Sequence, residues 1–401
     1  MSFRDCKMKI LLCTKVVYPF HGYGGMEKYV YFLAKSLKDL GHDVDIISSS
    51  IGNTKIVNKR YNNINYILCP SLLRGIPVPI QLIRYHYMIF NIATYIRKEN
   101  YDVAHCFGLP SLYYQLFFKK SHGTAILTQA FDNESYKIEL WKRMLLFFPI
   151  NFPLKRCMRM SEAVASCGHH QEEEIEKIYG VENDKIKRIG AGVEAKKIIQ
   201  YTQPLRKNMI ENRRKLKIPP DSFVIINVNR LAVTKNVEMI IDALAIVRDK
   251  IDFKFILVGT GPEENKIVKR VKFHNLQEEF IHLKNIPNDR LYSYLAIADL
   301  FVEASKIENY VTTALEAMAA GLAVVSFHDQ EGLLFDKKNG FICKEHCANA
   351  LANCIIEAHR STRLREIGLS GQRSVIQNDW SRVAENAVSA YQYAISKKVS
   401  E

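Results

Sequence analysis

The chain has 401 residues, of which 48% are hydrophobic, and its formal net charge at pH 7 is +14. This length suits two domains of about 200 residues, and the apolar content is ample for two cores. No stretch of about 18 uncharged apolar residues occurs, so a membrane-spanning helix is not expected, and no signal peptide is visible.

The positive charge is concentrated in the first half of the chain. Residues 1–200 contain 28 Lys and Arg against 18 Asp and Glu, whereas residues 201–401 contain 28 against 24. A basic half predicts an anionic partner, which could be a nucleic acid, a membrane surface or a phosphorylated substrate, although a lysine-rich proteome gives the same balance. No nucleic-acid-binding motif accompanies the charge, so we expect no nucleic-acid partner.

The nine cysteines are scattered, odd in number and without a Cys-x-x-Cys pair. Several, such as Cys13 and Cys106, fall within apolar strand patterns, which is typical of reduced, buried thiols in a cytoplasmic protein. Cys343, His346 and Cys347 are close in sequence, but a fourth metal ligand is not evident. We therefore predict neither a disulfide framework nor a bound metal.

The first predicted elements are a strand and a helix joined by a glycine-rich turn. Residues 9–13 are apolar, residues 28–40 carry apolar side chains at helical spacing, and Gly22, Gly24 and Gly25 lie between them. Such a turn lets backbone N–H groups approach an anion, or is simply a tight turn. It lacks the dinucleotide-binding spacing, which argues against a nicotinamide-dependent oxidoreductase.

Two further patterns in this half concern possible site residues. Asp43 and Asp45 match a D-x-D metal motif, but they lie along a predicted strand, so a structural role is the better interpretation. Residues 102–108 form another strand that runs into a loop and contains His105 and Phe107. The histidine is either a core residue or part of a site.

Residues 139–160 mix aromatic and basic side chains and contain two prolines. This segment is either a surface that rests on an anionic membrane or a core helix and turn with solvated basic flanks. A polar and basic stretch at about residues 195–215 is the predicted domain linker.

In the second half, residues 223–229 form a buried strand that is followed by Arg230 and Lys235 and then by a helix at 237–248. Two cations that flank a helix start can bind a diphosphate, although without context they would be ordinary surface cations. The next strand ends in a glycine-rich turn that begins at Gly259.

A pair of carboxylates precedes the last predicted strands. Glu308 and Glu316 are eight residues apart, a helix opens near Val311, and Gly321 ends it before a strand at 322–325. The two carboxylates could cap the helix and complement its dipole. From the spacing alone the capping role is the better interpretation, but the two carboxylates could also accept hydrogen bonds from the hydroxyls of a sugar or a ribose.

In this order the motifs resemble those of the GT-B-fold retaining glycosyltransferases of family four, the glycosyl transferases group 1. The glycine turn resembles the family's Pro-x-x-Gly-Gly-x-Glu loop, Arg230 and Lys235 match its Gly-Arg-Leu…Lys-Gly motif, and the glutamates match its E-x7-E motif. Asn229 and Asn236 replace the glycines of the second motif. Phe107 stands where many members have a second histidine.

The resemblance implies an α/β fold with two Rossmann-like doubly wound domains facing a central cleft. It implies an acceptor-binding domain at 1–200, a nucleotide-sugar-binding domain at 201–380, and a helix at 381–401 that crosses back to the first domain. The usual Gly-Gly turn after Val325 is absent, so donor contacts are expected to differ there.

The implied activity is transfer of a sugar, in a hexosyltransferase-type reaction with retention of anomeric configuration, from a nucleotide-diphosphate sugar to a glycan or lipid-linked acceptor. Arg230, Lys235 and Glu308 would be catalytic, and His105 and Phe107 would lie on the acceptor side. The donor-binding residues implied are Gly24, Gly25, Arg230, Lys235, Gly259, Glu308, Asn309, Tyr310, Val311 and Glu316.

No cofactor and no obligatory metal are implied beyond the donor itself. The location predicted is the cytoplasm, with the inner face of the membrane as a hypothesis that rests on the basic first half and on residues 139–160. Because the second histidine is missing, a non-catalytic nucleotide-sugar or glycan-binding protein on the same scaffold remains the alternative.

Overall fold

The computed structural model describes residues 7–22, 25–50, 55–70, 78–129, 151–306 and 312–400. The chain divides into two compact units, one formed by residues 1–192 with 380–401 and the other by residues 193–379. Within the described ranges no helix is both long enough and apolar enough to cross a bilayer.

The first unit is built on one eight-stranded sheet. Its strands are β1 (Lys9–Cys13), β2 (Asp43–Ser50), β3 (Val57–Tyr61), β4 (Ile64–Pro70), β5 (Val103–Phe107), β6 (Ala125–Gln129), β7 (Ala163–Ser166) and β8 (Ile186–Arg188). The order is β3-β4-β2-β1-β5-β6-β7-β8, with parallel pairing throughout except between β3 and β4. Its helices are α1 (Gly25–Asp39), α2 (Val78–Lys98), α3 (Leu112–Phe117), α4 (Phe152–Met160) and α5 (His169–Glu174).

Helices cover both faces of this sheet, because successive side chains of a strand point to opposite faces. Ile10 and Leu12 of β1 pack in the core that contains Leu33 of α1, whereas Leu11 packs in the core that contains Ile92 of α2. The strand therefore reads as a continuous apolar run, which is the pattern from which it was predicted.

The second unit is built on a six-stranded parallel sheet. Its strands are β9 (Phe223–Val228), β10 (Phe253–Val258), β11 (Phe280–Leu283), β12 (Leu300–Val302), β13 (Ala323–Ser326) and β14 (Phe341–Ile342), in the order β11-β10-β9-β12-β13-β14. Its helices are α6 (Ala195–Lys207), α7 (Met209–Lys215), α8 (Val237–Val247), α9 (Glu264–Phe273), α10 (Asn288–Ile297), α11 (Thr312–Ala319), α12 (Ala348–Arg360) and α13 (Leu364–Val375). The predicted α/β class with two parallel-sheet units is confirmed.

The last helix, α14 (Trp380–Ser400), belongs to the first unit, although it follows the second in sequence. The hydroxyl of Tyr391 lies 2.8 Å from Nδ1 of His105 on β5, and both side chains are buried. The chain thus passes between the units twice, after Gly192 and after Asp379.

The prediction of a linker at residues 195–215 was wrong. These residues form α6 and α7, and the compact second unit begins at Val193 rather than at residue 201. The stretch is basic because its four lysines and Arg214 lie on exposed outer faces of the two helices, while Ile198 and Thr202 are buried. Arg213 is buried as well, and its guanidinium binds Asp299 and the carbonyl oxygen of Ile297.

Two other sequence patterns have a structural explanation. Asp45 lies on β2, where its carboxylate accepts hydrogen bonds from Asn65 (3.0 Å) and from the hydroxyl of Tyr101 (2.8 Å). Of residues 139–160, those before residue 151 lie outside the described residues. The remainder forms α4, whose Leu154 and Met158 pack into the core.

Candidate active site

Three loops meet at the carboxyl edge of the second sheet, where ligands of open α/β sheets bind. The loop after β9 is held to the loop after β10 by backbone hydrogen bonds from Asn229 to Val258 and from Leu231 to Thr260, each 3.0 Å long. Gly259 has φ 141°, and a β-carbon at this position would overlap the carbonyl oxygen of Asn229. Only glycine allows this close approach of the two loops.

The loop after β9 carries the two predicted phosphate-binding cations. Arg230 lies two residues after the end of β9 and is exposed, and Lys235 closes a single helical turn, Val233–Lys235, just before α8. Asn236 adopts φ 50° at the start of α8. Asparagine tolerates this left-handed conformation, which explains how it replaces the family's glycine. Two cations beside a helix N-terminus make an electropositive region that suits a diphosphate.

The loop after β12 joins the same region. The backbone nitrogen of Lys306 donates to the carbonyl oxygen of Thr234, one residue before Lys235, at 2.9 Å. The chain then enters residues 307–311. The predicted donor ligands Gly24, Glu308, Asn309, Tyr310 and Val311 lie outside the described residues.

A buried carboxylate that sequence reasoning missed anchors this third loop. Glu303, the first residue after β12, is fully buried and accepts hydrogen bonds from the backbone nitrogen of Ser305 (2.8 Å) and from the hydroxyl of Ser326 (3.0 Å). Burial raises the pKa of Glu303, and these hydrogen bonds offset part of the increase. A charged residue directly after the apolar strand at 300–302 was the signal that could have revealed it.

Two histidines complete the anchor. Nε2 of His328 lies 2.9 Å from the carbonyl oxygen of Ser305, and Nε2 of His346 lies 3.3 Å from the same oxygen. An oxygen with two lone pairs accepts both imidazole N–H groups. The ring of His346 also stacks on Phe327. The segment after Val325 differs from the family pattern, and it holds the loop that leads toward Glu308.

Glu316, the second predicted carboxylate, lies half-buried on α11. The pKa of Tyr292 on α10 is raised, mainly by burial and to a smaller extent by the negative charges of Glu316 and Glu194. Glu316 is therefore close enough to act on that hydroxyl electrostatically. The helix begins at Thr312, and its predicted end is confirmed, because Gly321 has φ 79°.

The predicted residues of the first unit lie in different surroundings. Gly25 is the exposed first residue of α1. His105 and Phe107 are both buried, and their rings stack at 4.3 Å. Burial lowers the pKa of His105 to about 3, so the ring is neutral near pH 7. Their burial does not fit the predicted acceptor-side position, and we assign both residues to the core.

The structure thus brings together the loop that carries Arg230 and Lys235 and the glycine-rich turn that begins at Gly259, because these two loops contact each other. No group of three or more His, Cys, Asp or Glu residues with metal-binding geometry occurs in the part of the chain that the structure describes. His346 instead faces Ser305, and the sulfur of Cys347 accepts from the backbone of Ala350 at the start of α12.

Two protein families match this chain in succession. The model described as Glycosyltransferase Family 4 matches residues 23–197, and the model described as Glycosyl transferases group 1 matches residues 208–367, which contain the site above. With the two parallel-sheet units, these matches define a glycosyltransferase of the GT-B fold. The chain belongs to the group 1 glycosyltransferases of the family-four type.

Individual relatives agree with this assignment at low identity. Alpha-monoglucosyldiacylglycerol synthase of Acholeplasma laidlawii is 25% identical over 337 residues, which is 79% of this chain and 80% of the relative. Sucrose-phosphate synthase of Thermosynechococcus elongatus has a similar fold (TM-score 0.77, 18% identity, 96% and 98% of the two chains). So does Anabaena HepE in complex with UDP and glucose (TM-score 0.70, 16% identity, 95% and 98%).

Proposed function

We propose that the protein is a retaining glycosyltransferase that moves a sugar from a nucleotide-diphosphate sugar to a glycan or lipid-linked acceptor. The observation that carries the proposal is the convergence of the loops after β9, β10 and β12 around Arg230 and Lys235. The structure of Anabaena HepE with UDP and glucose supports a nucleotide-sugar donor. The name of the Acholeplasma relative supports an acceptor of lipid character.

Arg230 and Lys235 are proposed to bind the donor diphosphate and to stabilise the charge that develops on it as the sugar leaves. The guanidinium offers a planar pair of donors and the ammonium a compact charge. Stabilisation of developing charge by preorganised groups is usually the largest contribution to such a reaction.

The two glutamates are proposed to hold the two ends of the donor. Glu316 accepts hydrogen bonds from the ribose hydroxyls, and Glu308 contacts the transferred sugar. Gly24 and Gly25 leave room for the phosphates and the acceptor. The bond between the anomeric carbon and the phosphate oxygen breaks, a bond to the acceptor oxygen forms on the same face, and the leaving phosphate takes the acceptor proton.

We propose that this transfer needs no metal ion, because the two cations supply the positive charge at the diphosphate. The matching measurement is turnover after exhaustive treatment with EDTA. Unchanged turnover supports the proposal, whereas full loss that Mg²⁺ or Mn²⁺ restores contradicts it.

The decisive experiment measures nucleoside diphosphate release from UDP-, GDP- and ADP-sugars by the wild type, Arg230→Ala and Glu316→Gln. We expect one donor to be turned over, with a fall of about 100-fold in kcat/KM for Arg230→Ala. Arg363→Ala and Glu366→Gln are the matched controls, because these residues form an exposed ion pair on the second unit (2.8 Å). Both controls should keep wild-type rates.

The product's anomeric configuration, read from its proton coupling in NMR, tests retention separately. Inversion would overturn the proposed same-face transfer. Tight donor binding without turnover, even with candidate acceptors, would favour the non-catalytic binding protein. Equal loss of activity in the site variants and the controls would contradict the site assignment.

A further inference from the structure

The outer face of α2 carries large apolar side chains that the fold leaves in contact with water. Ile83, Tyr87 and Phe90 are 68%, 52% and 45% exposed. Their spacing of four and three residues places them on one side of the helix. The opposite side, with Met88, Ile89 and Ile92, is buried against the sheet. Three aligned, exposed apolar residues on one helix face indicate an interaction surface.

Helix α3 extends this surface. Tyr113 lies next to Phe90, with ring centroids 5.9 Å apart, and Phe117 stacks on Tyr113 at 6.0 Å with the rings nearly parallel. The Tyr113 hydroxyl is also 3.1 Å from Nδ1 of His86 on α2, which fixes the two helices together. Phe117 itself is 63% exposed. The aromatic surface is therefore continuous from α2 to α3.

The charged side chains of α2, α3 and α4 are all basic. Residues 78–98, 112–121 and 152–160, which include α2, α3 and α4, contain no Asp or Glu. Arg97 and Lys98 at the end of α2 and Lys120 after α3 are exposed, and the Arg97 guanidinium lies 4.9 Å from the ring centre of Phe118.

Two acidic residues that follow α2 and α4 in sequence are paired with lysines. Glu99 lies 3.7 Å from Lys9, and Glu162 lies 2.9 Å from Lys119. The ion pairs found for Glu99 and Glu162 are therefore with Lys9 and Lys119, and not with Arg97, Lys98 or Lys120. The surface therefore combines exposed aromatic side chains with exposed basic side chains.

We propose that this α2–α3 face, defined as Ile83, Tyr87, Phe90 and Phe117 with Arg97, Lys98 and Lys120, docks the protein on an anionic lipid bilayer. The apolar side chains enter the boundary between headgroups and acyl chains, and the cations contact the anionic headgroups. Long basic side chains at the end of the apolar stripe reach the headgroup level while their stems remain in apolar contact.

The charge pattern of the α2–α3 face favours an anionic bilayer as its binding partner. A bilayer containing anionic lipid offers a diffuse negative surface over an apolar interior, which complements aromatic residues bordered by cations without any fixed ion-pair geometry. This inference rests on the proposed function, because docking on a bilayer would bring the enzyme to a lipid-linked acceptor. Binding to lipid is nevertheless measured without donor or acceptor.

The test is flotation of the full chain with vesicles of phosphatidylglycerol and phosphatidylcholine, and with phosphatidylcholine alone, at low and high salt. Wild type should float with the anionic vesicles at low salt and lose most binding in high salt. The apolar variant combines Tyr87→Ser, Phe90→Ser and Phe117→Ser, and the charge variant combines Lys98→Glu with Lys120→Glu. Each should bind at least about tenfold more weakly.

Helix α9 of the second unit offers matched controls. Phe273 is 75% exposed there and Lys269 and Lys272 are exposed as well, so Phe273→Ser and the pair Lys269→Glu with Lys272→Glu make the same chemical changes elsewhere. The controls should bind vesicles as the wild type does. Thermal unfolding and donor turnover without vesicles should be the same for all variants, which separates failed docking from failed folding or failed catalysis.

Three results would overturn the proposal. The first is absence of wild-type binding to anionic vesicles at low salt. The second is wild-type binding by both α2–α3 variants. The third is self-association of the wild type, without vesicles, that the apolar variant abolishes together with flotation, because the face would then be an interface between copies of the chain. If the wild type turned over no donor, the proposed function would be contradicted, but the vesicle-binding result would still test the docking proposal.

Discussion

The α-carbon of Gly259 faces the carbonyl oxygen of Asn229 so closely that no β-carbon fits between the two loops. This contact joins the end of β10 to the residue immediately before Arg230. The position of the predicted phosphate-binding arginine, which follows β9, therefore depends on the absence of a side chain at the end of the next strand, β10.

Gly259→Ala should displace the loop after β9, because the overlap is with backbone and φ at this residue is positive. We expect a rise of about tenfold or more in the donor KM and a loss of about 1–3 kcal/mol in the free energy of unfolding. Steady-state kinetics and chemical denaturation measure the two effects. Gly123→Ala is the control, since open space surrounds that glycine. A variant with wild-type KM would show that the contact does not position Arg230.

Glu303 is predicted to act as a positioning residue for the loop that leads to Glu308. Glu303→Ala leaves the Ser305 N–H and the Ser326 hydroxyl without their acceptor, which costs about 1–3 kcal/mol of stability. Loosening this loop should also lower donor kcat/KM by about 10- to 100-fold.

Glu303→Gln keeps one acceptor oxygen and should recover much of that kcat/KM. A purely structural role would lower the unfolding temperature of Glu303→Ala and leave its kcat and KM at 25 °C unchanged, so these kinetic constants decide between the two roles.

The buried pair of His105 and Tyr391 should make stability depend on pH. Burial lowers the folded-state pKa of His105 from 6.5 to about 3, so the unfolded chain binds a proton more readily between these values. Stability is therefore retained above about pH 6.5 and is lost as pH falls below it, by at most about 1.4 kcal/mol per pH unit.

Urea denaturation at about pH 7 and about pH 5 measures this loss. His105→Gln can still hydrogen-bond to Tyr391 but does not titrate, so its stability should fall less over the same interval. An equal fall in the variant and the wild type would mean that another group causes the dependence.

Arg213 is predicted to be essential to the second unit. Its guanidinium binds Asp299 (2.6 Å), and it also donates to the carbonyl oxygens of Ile297 (3.0 Å) and Pro220 (2.8 Å). Arg213→Ala leaves a partly buried carboxylate and several carbonyl groups unpaired, and should cost about 3–5 kcal/mol. Arg214→Ala, at the exposed neighbouring position, should change the unfolding free energy by less than about 0.5 kcal/mol. Similar losses in the two variants would contradict the assigned role.

Predictions from the sequence were correct where the residue types of a segment alone determine its conformation and burial. Residues 223–229 read as a buried strand because both faces of the sheet are covered, and β9 ends at Val228. Gly321 was predicted to end a helix, and its φ of 79° is one that glycine adopts without strain. The order of Arg230, Lys235 and the glutamates identified the family before any geometry was known.

Other features depend on contacts that a linear pattern does not contain. β3 was not predicted because Asn58, Lys59 and Arg60 are exposed on an edge strand and interrupt any apolar alternation. The basic stretch at 195–215 looked like a linker because its buried positions are few. The burial of His105 could not be read from sequence, since the partner that encloses it, Tyr391, is distant in the chain.

The return of α14 to the first unit also orders the events of biosynthesis. Residues 193–379 form a continuous compact unit, so they can complete their fold as soon as they leave the ribosome. The first unit is synthesised earlier, yet its core includes Tyr391 and Ala387 of α14. Until α14 is made, the part of the sheet face that α14 covers and α1 does not remains exposed, and this lasts while the whole second unit is translated. The N-terminal unit is therefore the last to finish folding, and that interval is when the chain most needs protection from aggregation.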